Sequence, residues 1–261
     1  MTKLHVVIPI GVGAENTPIQ QYLETSVNSI LNQTCNEIIL TVAADSNIPQ
    51  RCIDFLNKKK VEIKWFDSFT YFRHGGIWKK IADTWRDTNT NYIAFMHYDD
   101  IWDLNKAKIQ IDLMEEQNLN GSFSEVYICD NTDSIISKDQ SFSDLSINTI
   151  GTRTCAFAHS TIIARHALQE SGIFQYENNW AANFEDLWAL YIHKLKTIKK
   201  ANGAKMFWRT HDHSVSATFK EESEIIQYQR NITKYTLTDT LKDAYKIDLD
   251  DIKKEIIKSW S

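Results

Sequence analysis

The sequence is poor in the residues that mark zinc-binding, disulfide-rich or low-complexity proteins. It contains 4 cysteines, 8 glycines and 3 prolines in 261 residues. The cysteines are far apart and form no CxxC pair, which argues against a structural zinc site. Scattered thiols in a sequence that opens without a signal-peptide pattern favour a reducing compartment. We therefore expect a cytoplasmic protein.

Long apolar runs and an excess of positive charge are also missing. No run reaches the roughly 20 apolar residues that a membrane-spanning helix needs. The formal net charge of -5 argues against a general nucleic-acid-binding protein. With 43% hydrophobic and 24% charged residues, the composition is typical of a globular chain large enough to bury a core.

Two familiar phosphate-binding signatures are absent. The spacing GxxxxGK[ST] of a P-loop does not occur, and Gly11 and Gly13 lack the third glycine of a GxGxxG motif. The glycine-rich signature of sugar nucleotidyltransferases, with its following Arg and Lys, is not found after Pro9 either. A nucleotide site in this chain must therefore use other residues.

Apolar, strand-like runs alternate with amphipathic helical patterns in the first hundred residues. The predicted strands are Leu4–Ile10, Glu37–Ala44, Val61–Phe66 and Tyr92–Met96, and the predicted helices are Gln20–Leu31, Pro49–Lys59 and Ile77–Arg86. This alternation predicts an α/β fold with a mostly parallel, Rossmann-like sheet flanked by helices.

The pattern is less regular in the rest of the chain. It predicts a helix over Lys106–Gln117, a surface loop over Asn131–Asn148, and strands at Ser124–Cys129, Thr154–Ala164, Thr197–Lys200 and Ala204–Trp208. Amphipathic helices follow from Lys220, after a polar hinge at Asp212–Thr218. We therefore expect one domain over residues 1–218 and a C-terminal helical extension over residues 219–261.

The most informative stretch is the sequence NYIAFMHYDDIW, in which an apolar run stops at Asp99 and Asp100. A buried strand that ends in this way delivers its acids to the carboxyl edge of the sheet, where ligands of open α/β sheets bind. Two adjacent carboxylates repel each other unless a cation or hydrogen-bond donors compensate them. Mg²⁺ or Mn²⁺ carrying a diphosphate fits this role. The alternative is a solvated acidic turn.

Two further sets of acids are candidates for chemistry. Asp45 ends the second predicted strand, where an acid can accept a hydrogen bond from a base N–H or a ribose hydroxyl. Glu185 and Asp186 open a predicted helix, where a carboxylate can act as a general base. The alternatives are a turn cap at Asp45 and an ordinary pair of helix N-terminal acids at Glu185 and Asp186.

Basic and histidine side chains supply the remaining candidates. Lys79 and Lys80 follow Gly75 and Gly76, so either lysine can reach a diphosphate. Arg209, in the segment WRTHDHSVS, is a candidate for gripping a phosphate. His211, in the same segment, is a candidate metal ligand or phosphate contact. The alternative for this segment is a polar loop with solvated histidines.

The order of these motifs resembles the family 2 glycosyltransferases, the large inverting family with the GT-A fold. The resemblance runs from Lys3 to Ser216 and rests on the segments VVIPI, NSILNQT, EIILTVAAD, YIAFMHYDD, FEDLW and WRTHDHSVS. Ala44 stands where the family commonly has the first of two acids, and HGGIWKKIADT replaces the family's usual basic loop. The basic residue that faces the phosphates therefore differs from the family pattern.

The resemblance implies transfer of a sugar, with inversion, from a nucleotide diphosphosugar to a hydroxyl of a glycan or lipid-linked acceptor. The expected donor is a UDP-sugar, and the expected setting is bacterial-type surface polysaccharide or lipopolysaccharide synthesis. In this interpretation Asp186 is the catalytic base, supported by Glu185. The divalent metal, Mn²⁺ or Mg²⁺, falls on Asp100, with Asp99 and His211 as further contacts.

The resemblance also implies a set of nucleotide contacts. They are Pro9, Gly11, Asp45, Lys79, Lys80, Asp99 and Arg209. Two other classes of function stay open, namely a non-catalytic nucleotide-sugar or glycan-binding module and a sugar nucleotidyltransferase. For the C-terminal helices we weigh a peripheral contact with the inner membrane face, a homodimer contact and plain packing.

Overall fold

A computed structural model describes residues 3–10, 19–35, 37–45, 48–66, 80–81, 83–86, 88–139, 159–170 and 197–211. The predicted extension over residues 219–261 lies outside these residues, so the domain boundary and the role of the extension stay predictions. Within the described ranges, no helix is long and apolar enough to cross a membrane.

The first half of the sheet is parallel and was predicted element by element. The strands are β1 (Leu4–Ile10), β2 (Ile38–Asp45), β3 (Glu62–Phe66) and β4 (Tyr92–Phe95), arranged in the order β3-β2-β1-β4. Helices α1 (Ile19–Leu31) and α2 (Gln50–Lys58) connect the first three strands, and residues 80–81 and 83–86 are helical before β4. All three pairings are parallel, as the alternating pattern predicts.

The second half of the sheet mixes parallel and antiparallel pairs. Its elements are β5 (Ile101–Trp102), α3 (Lys106–Gln117), β6 (Gly121–Cys129), β7 (Ile135–Lys138), β8 (Thr161–Ala164), α4 (Arg165–Glu170) and β9 (Ile198–Arg209). The nine-stranded sheet continues from β4 in the order β8-β6-β9-β5, and β7 pairs with β6. Only the β6–β9 pair of these is parallel. The predicted α/β fold, a sheet flanked by helices, is confirmed.

Three predictions for the second half were wrong in detail. The predicted loop over Asn131–Asn148 contains β7, a strand whose Ile135 and Ile136 are both exposed, so no buried face marks it in the sequence. The two predicted strands near residues 197–208 are one strand, β9, which continues through Gly203 at a φ of 86°. The described part of the predicted strand Thr154–Ala164 becomes a strand only at Thr161.

The sheet is covered on both faces, which explains why β1 is buried along its whole length. Leu4, Val6, Val7 and Ile8 are fully shielded from solvent. Trp85 is fully buried, and its ring lies 6.5 Å from that of Phe95 on β4. This packing fixes the strand that leads to the acidic pair.

His5 is a polar side chain that is buried in this core. His5 on β1 is fully shielded, with its Nδ1 2.9 Å from Thr88 Oγ1 and its Nε2 3.0 Å from Thr41 Oγ1. Burial, and then the charges of Lys64 and Arg165, lower the pKa of His5 to about 4. The folded protein therefore keeps this imidazole neutral at pH values where an unfolded chain protonates it.

The first prediction concerns stability in acid. The unfolded state binds a proton at His5 below about pH 6.5 and the folded state does not, so stability falls as pH falls from 6.5 towards 4. Between pH 7 and pH 5 this group costs about 2 kcal/mol of unfolding free energy. Denaturant unfolding of His5→Gln should lack that loss. The variant of an exposed histidine, His166→Gln, should keep it, and an equal loss in His5→Gln would contradict the assignment.

Candidate active site

The acidic pair lies where the chain leaves the sheet after β4. Met96 donates its backbone N–H to the carbonyl of Val7 at 3.1 Å, one residue beyond the end of β4. A turn follows, and the Asp100 N–H lies 3.4 Å from the carbonyl of His97. The predicted position of Asp99 and Asp100 at the carboxyl edge of the sheet therefore agrees with the structure.

Helix α1 holds this turn with two serine side chains. The hydroxyl of Ser26 donates to the carbonyl of Tyr98 at 2.8 Å. It also lies within donating distance of the carbonyl of Asp100. One helical turn further on, Ser29 Oγ accepts the N–H of Trp102 at 3.1 Å. Serines at this spacing share a helix face, so a stripe on α1 satisfies the backbone on both sides of the acidic pair.

Gln33 extends the same contact beyond the end of α1. Its Nε2 donates to the carbonyl of Asp103 at 2.6 Å, and its Oε1 accepts the N–H of Ala107 at 2.8 Å. The neighbouring backbone of Thr34 donates to the carbonyl of Leu104 at 3.1 Å. Gln33 thus supplies a partner to one of the free N–H groups at the start of α3.

The second prediction follows from this side chain. Gln33→Ala should lower the unfolding free energy by about 2–3 kcal/mol, because it leaves the buried N–H of Ala107 and the carbonyl of Asp103 without these partners. Gln21→Ala, at an exposed position on α1, is the matched control and should change stability by less than about 0.5 kcal/mol. Equal effects in chemical denaturation would contradict the role of Gln33.

Asp100 is an interior residue. Its side chain is 1% exposed, its Oδ2 lies 2.8 Å from Nδ1 of the buried His159, and its Oδ1 accepts the backbone N–H of Arg209 at 3.3 Å. Burial and the charge of Asp99 raise the pKa of Asp100 above its usual range. Both carboxylate oxygens are therefore engaged by the protein itself.

Asp99 is in a different electrostatic state. Its Oδ2 lies 3.0 Å from Nε2 of His211, and its carbonyl accepts Nε–H of Arg209 at 2.7 Å. Burial alone would raise the pKa of Asp99, but the hydrogen bond from His211 and the neighbouring His97 lower it below the ordinary value. Of the two acids, Asp99 is the one that keeps its negative charge.

Aromatic rings orient the polar groups around the pair. The centroid of the Tyr22 ring on α1 lies 4.9 Å from the centroid of the His211 ring. The same centroid lies 4.4 Å from Cζ of Arg209. The His97 ring lies 3.8 Å from the His159 ring. A buried aromatic ring against an imidazole or guanidinium limits its rotation and stabilises a cation.

Arg209 does not project into open space. Its side chain is 1% exposed, and its Nη1 pairs with Asp133 in the turn between β6 and β7. Among the described residues its Nη2 has no hydrogen-bond partner. In this structure Arg209 contacts the carbonyl of Asp99 and the side chain of Asp133, and its contact with a phosphate stays a prediction.

Three of the predicted nucleotide contacts lie at the same edge of the sheet. Pro9 is buried within β1, and Asp45 is the last residue of the neighbouring strand β2, where Ile10 pairs with Ala44. Lys80 is 2% exposed, with its Nζ 3.4 Å from the carbonyl of Ile10. The ends of β1, β2 and β4 thus form one rim, as the sequence predicts.

The remaining predicted residues are Gly11, Lys79, Glu185 and Asp186. They lie outside the described residues, so the catalytic assignments stay predictions. Sequence analysis missed His159 and Asp133, because neither belongs to a motif. It also missed Ser26, although the spacing of Ser26 and Ser29 on α1 carries a signal for a polar stripe.

No three described His, Cys, Asp or Glu side chains converge into a ready-made metal site. Asp99 Oδ2 and His211 Nε2 are two potential ligands, and these two atoms lie 3.0 Å apart. A carboxylate oxygen and an imidazole nitrogen are suitable ligands for Mn²⁺, and Mg²⁺ also takes the oxygen. An ion at this pair would need its other ligands from substrate phosphates, water or residues outside the described ranges.

Comparison with solved structures finds the same fold in TarS of S. aureus. The chain superposes on TarS residues 1–349 in complex with UDP-GlcNAc with a TM-score of 0.66 and 14% identity, covering 94% of this chain and 69% of that one. The complex with UDP gives a TM-score of 0.60 and 14% identity, covering 96% and 77%.

Comparison at the level of sequence gives no match. No protein-family model matches the chain, and no curated protein matches its sequence. The resemblance to family 2 glycosyltransferases therefore stays a prediction. The structural likeness, at this low identity, shows that the chain has the α/β fold of the TarS structures.

Proposed function

We propose that this protein is a glycosyltransferase that uses a nucleotide diphosphosugar as donor and a hydroxyl of a glycan or lipid-linked molecule as acceptor. The observation that carries the proposal is a compensated acidic pair at the carboxyl edge of a sheet whose structural neighbours are complexes with UDP-GlcNAc and UDP. These complexes favour a UDP-sugar as donor.

A divalent cation fits Asp99 and His211 better than it fits Asp100. The 3.0 Å between Asp99 Oδ2 and His211 Nε2 matches the separation of roughly 3 Å between adjacent ligands in an octahedral site with bonds of about 2.1 Å. Asp100 is buried, and both of its oxygens already accept or share protein hydrogen bonds. We therefore move the proposed metal contact from Asp100 to Asp99 and His211, with Mn²⁺ favoured by the mixed nitrogen and oxygen ligands.

When bound, the cation supplies positive charge to offset the negative charge that develops on the leaving diphosphate. The residues of the chain prepare for this task. Asp99 stays ionised, and the Tyr22 ring limits the motion of His211 beside it. Asp100 anchors the loop through His159 and Arg209. Pre-organisation of this kind avoids reorganisation during the reaction.

Chemistry at the acceptor needs a base, which we assign to Asp186. Asp186 takes the proton of the acceptor hydroxyl while the acceptor oxygen attacks the anomeric carbon and the bond to the diphosphate breaks. A single displacement of this type inverts the anomeric centre, and no carboxylate nucleophile is needed. We assign Asp45, at the end of β2, to a contact with the nucleobase or the ribose of the nucleotide.

The third prediction tests the function and its metal. Calorimetric titration with UDP-sugars and Mn²⁺ should show binding by the wild type. Asp99→Asn and His211→Gln should weaken the Mn²⁺-dependent part about tenfold or more, because each removes one charged or coordinating partner. Asp112→Asn changes an acid of an exposed ion pair on α3 and should bind like the wild type.

Parallel titrations with GDP-, dTDP- and CMP-sugars identify the nucleobase that the site accepts. Absence of binding to every nucleotide sugar would contradict the proposed function. Binding that is equally strong without Mn²⁺ would contradict the metal assignment alone, and binding that survives in Asp99→Asn would remove Asp99 from the site.

The fourth prediction concerns the general base that activates the acceptor hydroxyl. Asp186→Asn should keep the affinity for the nucleotide sugar and lower turnover by about 10²–10⁴-fold, which is the usual contribution of a general base. Glu185→Gln should retain most of the turnover, because we assign Glu185 a supporting role. Steady-state kinetics on both variants distinguish the neighbours. Loss of turnover in Glu185→Gln with an active Asp186→Asn would move the base by one residue.

A further inference from the structure

We propose that Asp133, in the turn between β6 and β7, is a positioning residue that holds the guanidinium of Arg209 away from the carboxylates of Asp99 and Asp100. Through this contact it keeps Asp99 available to a cation. The inference rests on the proposed function in one respect, namely that Asp99 and His211 bind a divalent metal ion.

Arg209 is attached to the acidic pair by its backbone and by one side-chain nitrogen. Its backbone N–H donates to Asp100 Oδ1 at 3.3 Å, and its Nε–H donates to the carbonyl of Asp99 at 2.7 Å. The ring of Tyr22 covers one face of the guanidinium at 4.4 Å. A guanidinium that is 1% exposed has lost its water and needs a negative partner inside the protein.

Asp133 provides that partner from a turn that is held by several hydrogen bonds. Its φ is 70°, and its backbone N–H donates to the carbonyl of Asp130 at 3.2 Å. The side chain of Asp130 accepts the N–H groups of Thr132 and Ser134 at 2.8 and 3.0 Å. The turn therefore presents the Asp133 carboxylate to Arg209 Nη1 in a fixed position. The side chain of Asp133 is 43% exposed, so its own desolvation is partial.

The competing partners of Arg209 are the carboxylates of the acidic pair. Arg209 already contacts this pair, through its backbone N–H to Asp100 Oδ1 and its Nε–H to the carbonyl of Asp99. An arginine that is released from Asp133 gains most by pairing with a carboxylate through two N–H groups. Such a pair would neutralise the negative charge that a cation at Asp99 and His211 requires. Asp133 thus keeps the positive charge of Arg209 away from the site proposed for the metal ion.

The experiment measures the dissociation constant of Mn²⁺ in the presence of UDP, from the electron paramagnetic resonance signal of unbound Mn²⁺. Asp133→Asn should raise this constant by about tenfold, as removal of a partner beyond the metal ligands usually does. Asp133→Glu keeps the charge and should restore most of the affinity. Glu125→Gln is the matched control, because it breaks the ion pair with Lys138 across the same two strands at 2.6 Å without touching Arg209.

A wild-type dissociation constant in Asp133→Asn would overturn the inference, and so would an equal loss in Glu125→Gln, since that result means general loosening of the hairpin. A second measurement does not depend on metal. In a double-mutant cycle of melting temperatures, Asp133→Asn and Arg209→Met should each lower Tm, and together by less than the sum. Additive losses would show that Asp133 does not hold Arg209.

The two measurements separate the inference from the function on which it rests. If the wild type binds no Mn²⁺ with UDP, the metal assignment fails, and the melting cycle still decides whether Asp133 holds the guanidinium. If Arg209→Met does not fold, the comparison of Asp133→Asn, Asp133→Glu and Glu125→Gln decides the question by Mn²⁺ affinity alone.

Discussion

Two adjacent carboxylates in one turn, with Asp100 buried and Asp99 partly buried, are the constraint on which the rest of this structure depends. Asp99 and Asp100 repel each other, and burial raises the energy of both charges. The protein resolves the conflict by treating the neighbours differently. Asp100 shares its oxygens with His159 and the backbone of Arg209, and its pKa rises, whereas His211 helps to keep the pKa of Asp99 low. One acid becomes part of the interior and the other keeps its charge.

This division explains why so many distant segments converge on the turn. Helix α1 supplies backbone partners through Ser26 and Ser29, and the end of β9 brings Arg209 and then His211. Each contact compensates a buried polar group, and each also fixes where Asp99 lies relative to the rim formed by β1, β2 and β4. The stability of the turn and the geometry of the proposed metal site therefore come from the same hydrogen bonds.

The sequence predicts the parts of the fold that depend on local pattern. Strands β1 to β4 and helices α1 to α3 follow from periodicity, and Asp99 is placed at the sheet edge by the apolar run before it. The roles of Asp100 and Arg209 were not predictable, because they depend on His159 and Asp133, which are distant in sequence and belong to no recognisable pattern. β7 escaped prediction because both of its isoleucines face solvent. The predicted base, Asp186, lies outside the described residues.

The position of β9 in the sheet has a consequence for how the chain is made. Strands β1 to β4 lie between Leu4 and Phe95, so the ribosome completes this parallel half of the sheet well before it reaches β9. Two partners of the acidic pair lie much later in the chain. They are Arg209, at the end of β9, and His211, just beyond it, and the ribosome adds both more than a hundred residues after Asp100. During that interval the nascent chain carries both acids without Arg209 and His211. Completion of the site is thus a late, long-range event in folding, and fragments that stop before β9 contain the acids but not the environment that sets their charge.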